Sequence, residues 1–194
     1  MVPDSQEDLC RAYHKLYVLL EMPSRTLADE MRTRTSNQCR FEEKDLWGIL
    51  AACVCALNYL KTAGLTHGQL TTDAILLTPE GHVKLYTPDV LGVSPSYEQV
   101  YSCRTLDNTY LSPELTVALS RGELSPDYNL EKSDVWTMGM IMIETAFTLN
   151  QKKAYNDLKT RVHFEYIHAQ LQKFKDRYSL PLFKTISSML LKES

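Results

Sequence analysis

The sequence lacks several features that would place its 194 residues in a specialised class. No apolar run approaches the roughly 18 residues that a membrane-spanning helix needs. Neither sign of charge dominates, since the net charge is -3, and this gives no electrostatic case for nucleic acid. Residues 1–8 are polar and acidic, the reverse of a secretory signal peptide. We therefore expect a cytoplasmic protein that has neither nucleic acid nor a membrane as its partner.

Cysteine is also scarce, and its pattern is uninformative about disulfides or metals. The spacings match no disulfide framework and no zinc motif, and the number of cysteines is odd. Two of the cysteines stand two residues apart on a predicted helix, where side chains point to different faces. We expect free thiols in a reducing compartment. The five are Cys10, Cys39, Cys53, Cys55 and Cys103.

The amino-acid composition is that of an ordinary globular domain, with 44% hydrophobic and 23% charged residues. Residues 15–22 form a short strand-like run that Pro23 closes. Thr26 is suited to cap a helix that begins after it. The clearest helical pattern covers 41–62, and Gly64 is suited to end it. Its apolar stripe consists of Leu46, Ile49, Leu50, Cys53, Val54, Leu57 and Leu60.

The second half of the chain predicts further elements. Residues 78–81 read as a turn between two short strands, which makes a small β-hairpin. Residues 87–112 show no periodicity and predict one long irregular segment. Residues 133–149 are apolar nearly all round, as expected of a buried central helix. Residues 154–178 and 182–191 read as amphipathic helices.

Four segments stand in an order and at spacings that resemble the C-terminal lobe of protein kinases. They match the family's catalytic loop, the strand before its D-F-G motif, its A-P-E motif and the signature that opens its central helix. The segments are 67–74 (H-G-Q-L-T-T-D-A), 83–86 (V-K-L-Y), 110–114 (Y-L-S-P-E) and 133–139 (S-D-V-W-T-M-G). The resemblance covers about 17–191. It implies a mainly α, kinase C-lobe-like domain with a small β-hairpin and an N-lobe that is largely absent.

The resemblance also divides the chain. Residues 1–16 form an N-terminal extension and 17–194 a pseudokinase C-lobe-like domain. Within the domain, 21–24 are hinge-like, 67–77 catalytic-loop-like and 87–114 activation-segment-like. Only some twenty residues precede the hinge-like stretch, and they contain no glycine and no V-A-I-K-like strand. We expect no lid over nucleotide phosphates and an apolar face where the missing lobe would sit.

The resemblance implies that the residues for phosphate transfer are lost. Gln69 stands at the position of the catalytic aspartate, and its neutral amide cannot accept a substrate proton as a carboxylate does. Thr71 replaces a lysine that steadies the transferring phosphate. Ala74 and Thr87 replace the asparagine and aspartate that hold the metal ions, although Mg²⁺ needs such oxygen ligands. We expect no catalytic residue, no cofactor and no metal.

Two carboxylates offer a rival interpretation. Asp73 and Asp89 lie close to the degenerate positions and could take over as base or metal ligand. Asp89 stands two residues beyond the expected site, after Pro88, which fixes the backbone. Asp73 reads as a solvated loop residue.

The retained residues point to architecture. The resemblance implies that Asp134 accepts hydrogen bonds from the backbone around His67, which makes His67 a packed core histidine. Trp136 is expected in the core. Glu114 matches a glutamate that pairs in the family with a distant arginine. Here it is either solvated or met by Arg104, Arg121 or a partner protein.

Gly68 replaces an arginine that receives an activation-loop phosphate in many kinases. Phosphorylation at Tyr101 or Ser102 therefore has no basic receptor there, and we expect no switching of that kind.

These observations favour a catalytically inactive, kinase-like scaffold, a structural subunit of a multi-protein complex such as a cytoskeletal assembly. A protein partner would cover the missing-lobe face, with 87–112 and 154–178 as further binding surfaces. The alternative is a residual or split kinase whose nucleotide-binding lobe comes from another chain. A third possibility is a decoy that competes with active kinases for their substrates or regulators.

Overall fold

The computed structural model describes residues 23–86, 96–103 and 109–190. Within these ranges lie seven α-helices, a three-stranded antiparallel sheet and one 3-10 turn, Lys152–Ala154. The mainly α fold with a small β element is therefore confirmed. The strand-like run at 15–22, the N-terminal extension 1–16 and the first half of the hinge-like stretch lie outside the described residues, so those expectations stay predictions.

The described chain begins with a short strand and a capped helix. Strand β1 is Arg25–Thr26, and helix α1 is Leu27–Ser36. The Thr26 hydroxyl accepts a hydrogen bond from the Asp29 backbone N–H at 3.1 Å, and the Asp29 carboxylate accepts one from the Thr26 N–H at 3.0 Å. This reciprocal pair satisfies two N–H groups that the helix itself cannot. The capping role expected of Thr26 is confirmed.

Helix α2, Glu43–Thr62, packs against the sheet and the central helix through a narrower stripe than the sequence predicts. Leu46, Ile49, Leu50 and Cys53 are buried, but Val54 is 44% exposed. The expectation for Val54 is wrong because only the first three turns of α2 bury a continuous face. Gly64, at φ 71°, ends the helix as expected.

The sheet has the order β1-β2-β3, with β2 at Ile75–Leu77 and β3 at Val83–Leu85. The hairpin between β2 and β3 is confirmed, and Gly81 takes a φ of 85° in its turn. The sequence missed β1, which pairs Thr26 with Leu76. A strand of two residues has no periodicity to detect.

A helix interrupts the segment expected to be irregular at 87–112, so that expectation is wrong in part. Helix α3 is Ser96–Cys103. Tyr97 and Val100, one turn apart, are buried, and this tertiary burial fixes a helix too short to be stable alone.

Helix α4 is Pro113–Arg121, and helix α5 is Leu130–Phe147. The Asn129 side chain caps α5 by accepting from the Lys132 N–H at 2.9 Å, so the helix begins three residues earlier than expected. Twelve of its residues are buried, which confirms a buried central helix. Across the described ranges, no helix has the length and apolar character needed to cross a bilayer.

The last helices are α6, Phe164–Arg177, and α7, Leu180–Leu190. The expected helix over 154–178 is wrong over 154–163, because α6 begins only at Phe164. Tyr155 and Val162 form an antiparallel bridge around a loop in which Lys159 has a φ of 52°. That left-handed conformation cannot occur within a right-handed helix.

Gly139 sets the distance between α5 and α7. A Cβ at this position would lie 2.9 Å from the Leu190 Cγ and 3.0 Å from the Met189 Cβ. We expect Gly139→Ala to force the two helices apart and to lower the free energy of unfolding by about 1–3 kcal/mol.

Gly48→Ala is the matched control, because Gly48 lies within α2 and, apart from the neighbouring residues and backbone of its own helix, no atom lies within 4 Å of a new Cβ. There, the better helix propensity of alanine should raise stability by about 0.5–1 kcal/mol. Urea unfolding of both variants checks the pair. Equal stability of Gly139→Ala and the parent chain would contradict the packing described for α5 and α7.

Candidate functional site

Asp134 joins the first turns of α5 to the loop that begins at His67. Its Oδ2 accepts a hydrogen bond from the His67 backbone N–H, and its Oδ1 accepts one from the Gly68 N–H, both at 2.9 Å. The contact expected of Asp134 is therefore present. It fixes a loop separated from α5 by more than sixty residues of sequence.

Two opposing effects act on the Asp134 carboxyl. Burial raises its pKa from 3.8 to about 6, and the two backbone N–H groups oppose that rise by stabilising the charged form. At pH 7 the group is therefore an anion with a donor on each oxygen.

His67 is a buried, neutral side chain. It is 8% exposed, and burial lowers its pKa from 6.5. Its Nδ1 accepts from the Gln69 backbone N–H at 3.3 Å, so the proton resides on Nε2, which donates to the Tyr86 carbonyl at 3.3 Å. His67 thus links the loop to the residue that follows β3.

The loop positions that matter for phosphate transfer in protein kinases carry no charge here. Gln69 is only 7% exposed. The Ala74 N–H donates to the Thr71 carbonyl at 3.1 Å and to the Thr71 hydroxyl at 3.2 Å, so Thr71 serves a backbone turn. Ala74 is buried and offers no ligand atom in its side chain. Thr87 lies outside the described residues.

The rival carboxylates give no assembled site in the described part of the chain. Asp73 is exposed between two buried neighbours, Thr72 and Ala74, as a solvated loop residue would be. Asp89 lies outside the described residues. Among those that are described, no three acidic, histidine or cysteine groups come close enough to hold a metal ion.

A second buried carboxyl, Glu144 on α5, was not singled out from the sequence. It is 6% exposed, and its Oε2 accepts from the Tyr110 hydroxyl at 3.0 Å. The same hydroxyl oxygen accepts from the Gln151 N–H at 2.9 Å. Burial raises the pKa of Glu144 to about 7, Tyr110 opposes the rise, and the charge of Asp73 adds to it. The available signal was a glutamate within the apolar part of α5, residues 135–147.

The segment 109–111 is pinned in place by α5 and by the loop before α6. Trp136, which is buried, donates its indole N–H to the Tyr155 hydroxyl at 3.0 Å, and that hydroxyl donates to the Leu111 carbonyl at 2.7 Å. The Thr137 hydroxyl donates to the Tyr110 carbonyl at 2.8 Å. The Lys159 ammonium donates to the Thr109 carbonyl at 2.7 Å.

Glu114 lies apart from this network, exposed in the first turn of α4. It borders an open cleft of about 420 Å³ together with Glu123, Asp127 and Tyr128. Arg121 also borders the cleft but pairs with Glu123, with 3.6 Å between Nη1 and Oε1. Within the described ranges no ion pair involves Glu114, and Arg104 lies outside them.

Comparison with known proteins agrees with this architecture. Residues 6–192 match a family model described as protein kinase domain. Ribosomal protein S6 kinase alpha-3 of Mus musculus and of Homo sapiens are each 32% identical over 132 residues, 67% of this chain and 16% of theirs. Putative ribosomal protein S6 kinase alpha-1 of Caenorhabditis elegans is 29% identical over 178 residues, 88% of this chain and 19% of its own. The chain thus spans less than a fifth of the length of these relatives.

Glu144→Gln should change how stability depends on pH. The folded pKa of about 7 lies above the ordinary 4.5, so between these values the folded state binds more protons than the unfolded one. Stability of the parent therefore falls as pH rises from about 4.5 to about 7. The glutamine keeps an oxygen for Tyr110 without the buried charge, and should be more stable at pH 8 by up to about 3 kcal/mol.

Denaturant unfolding of both proteins at pH 5 and pH 8 checks this. Asp134 also titrates in this range, but it is common to both proteins and cancels in the difference. A difference between the two proteins that stays constant from pH 5 to pH 8 would show that Glu144 does not titrate as described.

Proposed function

This chain belongs to the protein kinase family, and we propose that within the family it acts as a non-catalytic, protein-binding scaffold. The proposal rests on the identity and the burial of the residue at position 69. Protein kinases place an aspartate there to accept the proton of the substrate hydroxyl. Gln69 is neutral, and it is buried rather than presented to a substrate.

The remaining chemistry of the loop supports the same proposal. Phosphate transfer relies on charged groups that position metal ions and stabilise developing charge. Thr71 is used in a backbone turn, and Ala74 has no side-chain oxygen. We infer that the chain binds no nucleotide cofactor and no metal.

The architecture that a scaffold needs is kept. Asp134 holds the loop at His67, and the side chains of Trp136, Thr137, Tyr155 and Lys159 hold 109–111 at fixed positions. These buried anchors hold the surrounding surface in one arrangement, which lowers the entropy that a partner must remove on binding.

We propose that the partner is a protein, within a cytoplasmic multi-subunit complex such as a cytoskeletal assembly. The sheet offers one surface for it, because Leu76 and Leu77, which lie on opposite faces of β2, are both only partly buried within the described residues. The open cleft beside Glu114 offers another, lined by carboxylates next to the exposed Val117.

The alternative is a residual or split kinase whose nucleotide-binding lobe another chain supplies. The relatives favour it, because they are named as kinases. Asp73 is the one carboxylate of the loop that is exposed in the described structure. The alternative requires ATP and Mg²⁺ to bind, whereas the scaffold does not. A decoy that binds kinase substrates or regulators would differ from a scaffold mainly in reversibility.

The binding role has a direct test on the purified chain. Without its partner, the chain should expose apolar surface while remaining folded. We expect it to self-associate on size-exclusion chromatography or to enhance the fluorescence of a hydrophobic dye, with a cooperative thermal transition in both cases. A monomer that binds no dye would count against an interaction face of this kind.

A further inference from the structure

Three hydroxyl-bearing residues in the described part of the chain stand directly before a proline. They are Thr78, Ser112 and Ser125. A serine or threonine followed by proline is the pair that proline-directed protein kinases modify, and the proline biases the residue before it toward an extended backbone. Modification also requires that the hydroxyl is exposed and that the surrounding chain can enter another enzyme's active site. The structure separates the three residues by this requirement.

Thr78 and Ser112 are buried within regular structure. Thr78 is 5% exposed, its hydroxyl accepts from the His82 N–H at 3.2 Å, and its own N–H donates to the His82 carbonyl at 2.9 Å. Ser112 is 3% exposed at the start of α4, and its carbonyl accepts from the Thr116 N–H at 3.0 Å. Local unfolding would have to precede the modification of either residue.

Ser125 lies in the irregular loop between α4 and α5. Its side chain is exposed, and its neighbour Leu124 is 71% exposed. Within the described residues, no hydrogen bond involves 124–128. The serine is therefore both accessible and free of the backbone contacts that hold the other two.

The two ends of this loop are fixed. The Tyr101 hydroxyl donates to the Gly122 carbonyl at 3.3 Å. The Tyr97 hydroxyl donates to the Glu123 carbonyl, and Asn129 caps α5 at the other end. The middle of the loop can therefore extend into a second enzyme's active site without loss of a hydrogen bond and without loosening α4 or α5.

The loop also borders the open cleft beside Glu114. Glu123 and Asp127, each two residues from Ser125, line that cleft together with Arg121. The Arg121 side chain is 69% exposed, and its pairing with Glu123 is loose at 3.6 Å. A phosphate on Ser125 would add a charge of about -1.5 to -2 at pH 7, more than any side chain already there. Modification would thus change the charge of this surface.

We propose that Ser125 is a phosphorylation site for a separate proline-directed protein kinase that uses ATP. The Ser125 Oγ bonds to the γ-phosphorus of ATP, the bond from that phosphorus to the bridging oxygen breaks, and ADP leaves. The hydroxyl proton passes to the modifying enzyme. The site does not rest on the scaffold function, because it requires only an accessible serine in an adaptable loop.

Incubation of the folded chain with a purified proline-directed serine/threonine kinase, ATP and Mg²⁺ tests this. Site-resolved mass spectrometry follows each position with time, and each rate is divided by that of a synthetic peptide with the same local sequence. The normalised rate at Ser125 should exceed those at Thr78 and Ser112 about tenfold or more, since only these two require local unfolding. Thr87 and Ser94 also precede prolines but lie outside the described residues, and their peptides are read separately.

Two variants make the result specific. Pro126→Ala should largely abolish incorporation at Ser125, because the proline that biases the serine toward an extended backbone is lost. Ser125→Ala should remove incorporation at this position and keep the thermal midpoint of the parent, because the serine makes no hydrogen bond among the described residues.

The phosphorylated chain should likewise keep the cooperative transition of the parent. A Ser125 that stays unmodified in the folded chain would overturn the proposal. A normalised rate at Ser125 no higher than those at Thr78 and Ser112 would also overturn it, because the folded structure would then not select this serine.

Discussion

The rest of the structure depends on the Asp134 carboxylate, which accepts one backbone N–H on each oxygen. Without it, the His67 N–H would lose its partner in the buried interior, at a cost of about 1–3 kcal/mol for an unsatisfied donor. Through His67 the same contact reaches the Tyr86 carbonyl, beside the end of β3. One buried anion thus aligns the central helix, the loop and the sheet. These three parts define the kinase-like architecture, and none of the contacts requires a phosphate, a metal ion or a nucleotide.

The same loop shows how a kinase-like site can keep its shape while its polar chemistry changes. Burying a carboxylate is far more costly than burying an amide, unless the charge is paired. Gln69 is therefore compatible with a covered position where an aspartate would be penalised. Ala74 and Thr71 likewise fit a compact turn. Neutral residues at these positions and the hydrogen-bonded segment at 109–111 support the scaffold proposed above.

Local patterns in the sequence predicted the elements that local interactions determine. The capping role of Thr26, the hairpin around Gly81 and the apolar helix containing Trp136 are in place because neighbouring residues specify them. Two of the misses depend on tertiary contacts. Helix α3 exists because Tyr97 and Val100 are buried by distant segments. Tyr110 and Glu144 form a hydrogen bond across 34 positions of sequence, and no short motif predicts it. At the candidate site, the motif order predicted the partner of Asp134, but it did not predict that Gln69 would be buried.

The central claim is that this chain keeps the architecture of a protein kinase without the capacity to use ATP. Thermal unfolding with millimolar ATP, with and without Mg²⁺, tests it most directly. A ligand at about 100 times its dissociation constant stabilises the folded state by about 2.7 kcal/mol, which is a shift of several degrees for a domain of this size. The account predicts the same midpoint in every condition. A shift of several degrees that requires Mg²⁺ and disappears in Asp73→Asn would contradict it, and would make that carboxylate a metal ligand.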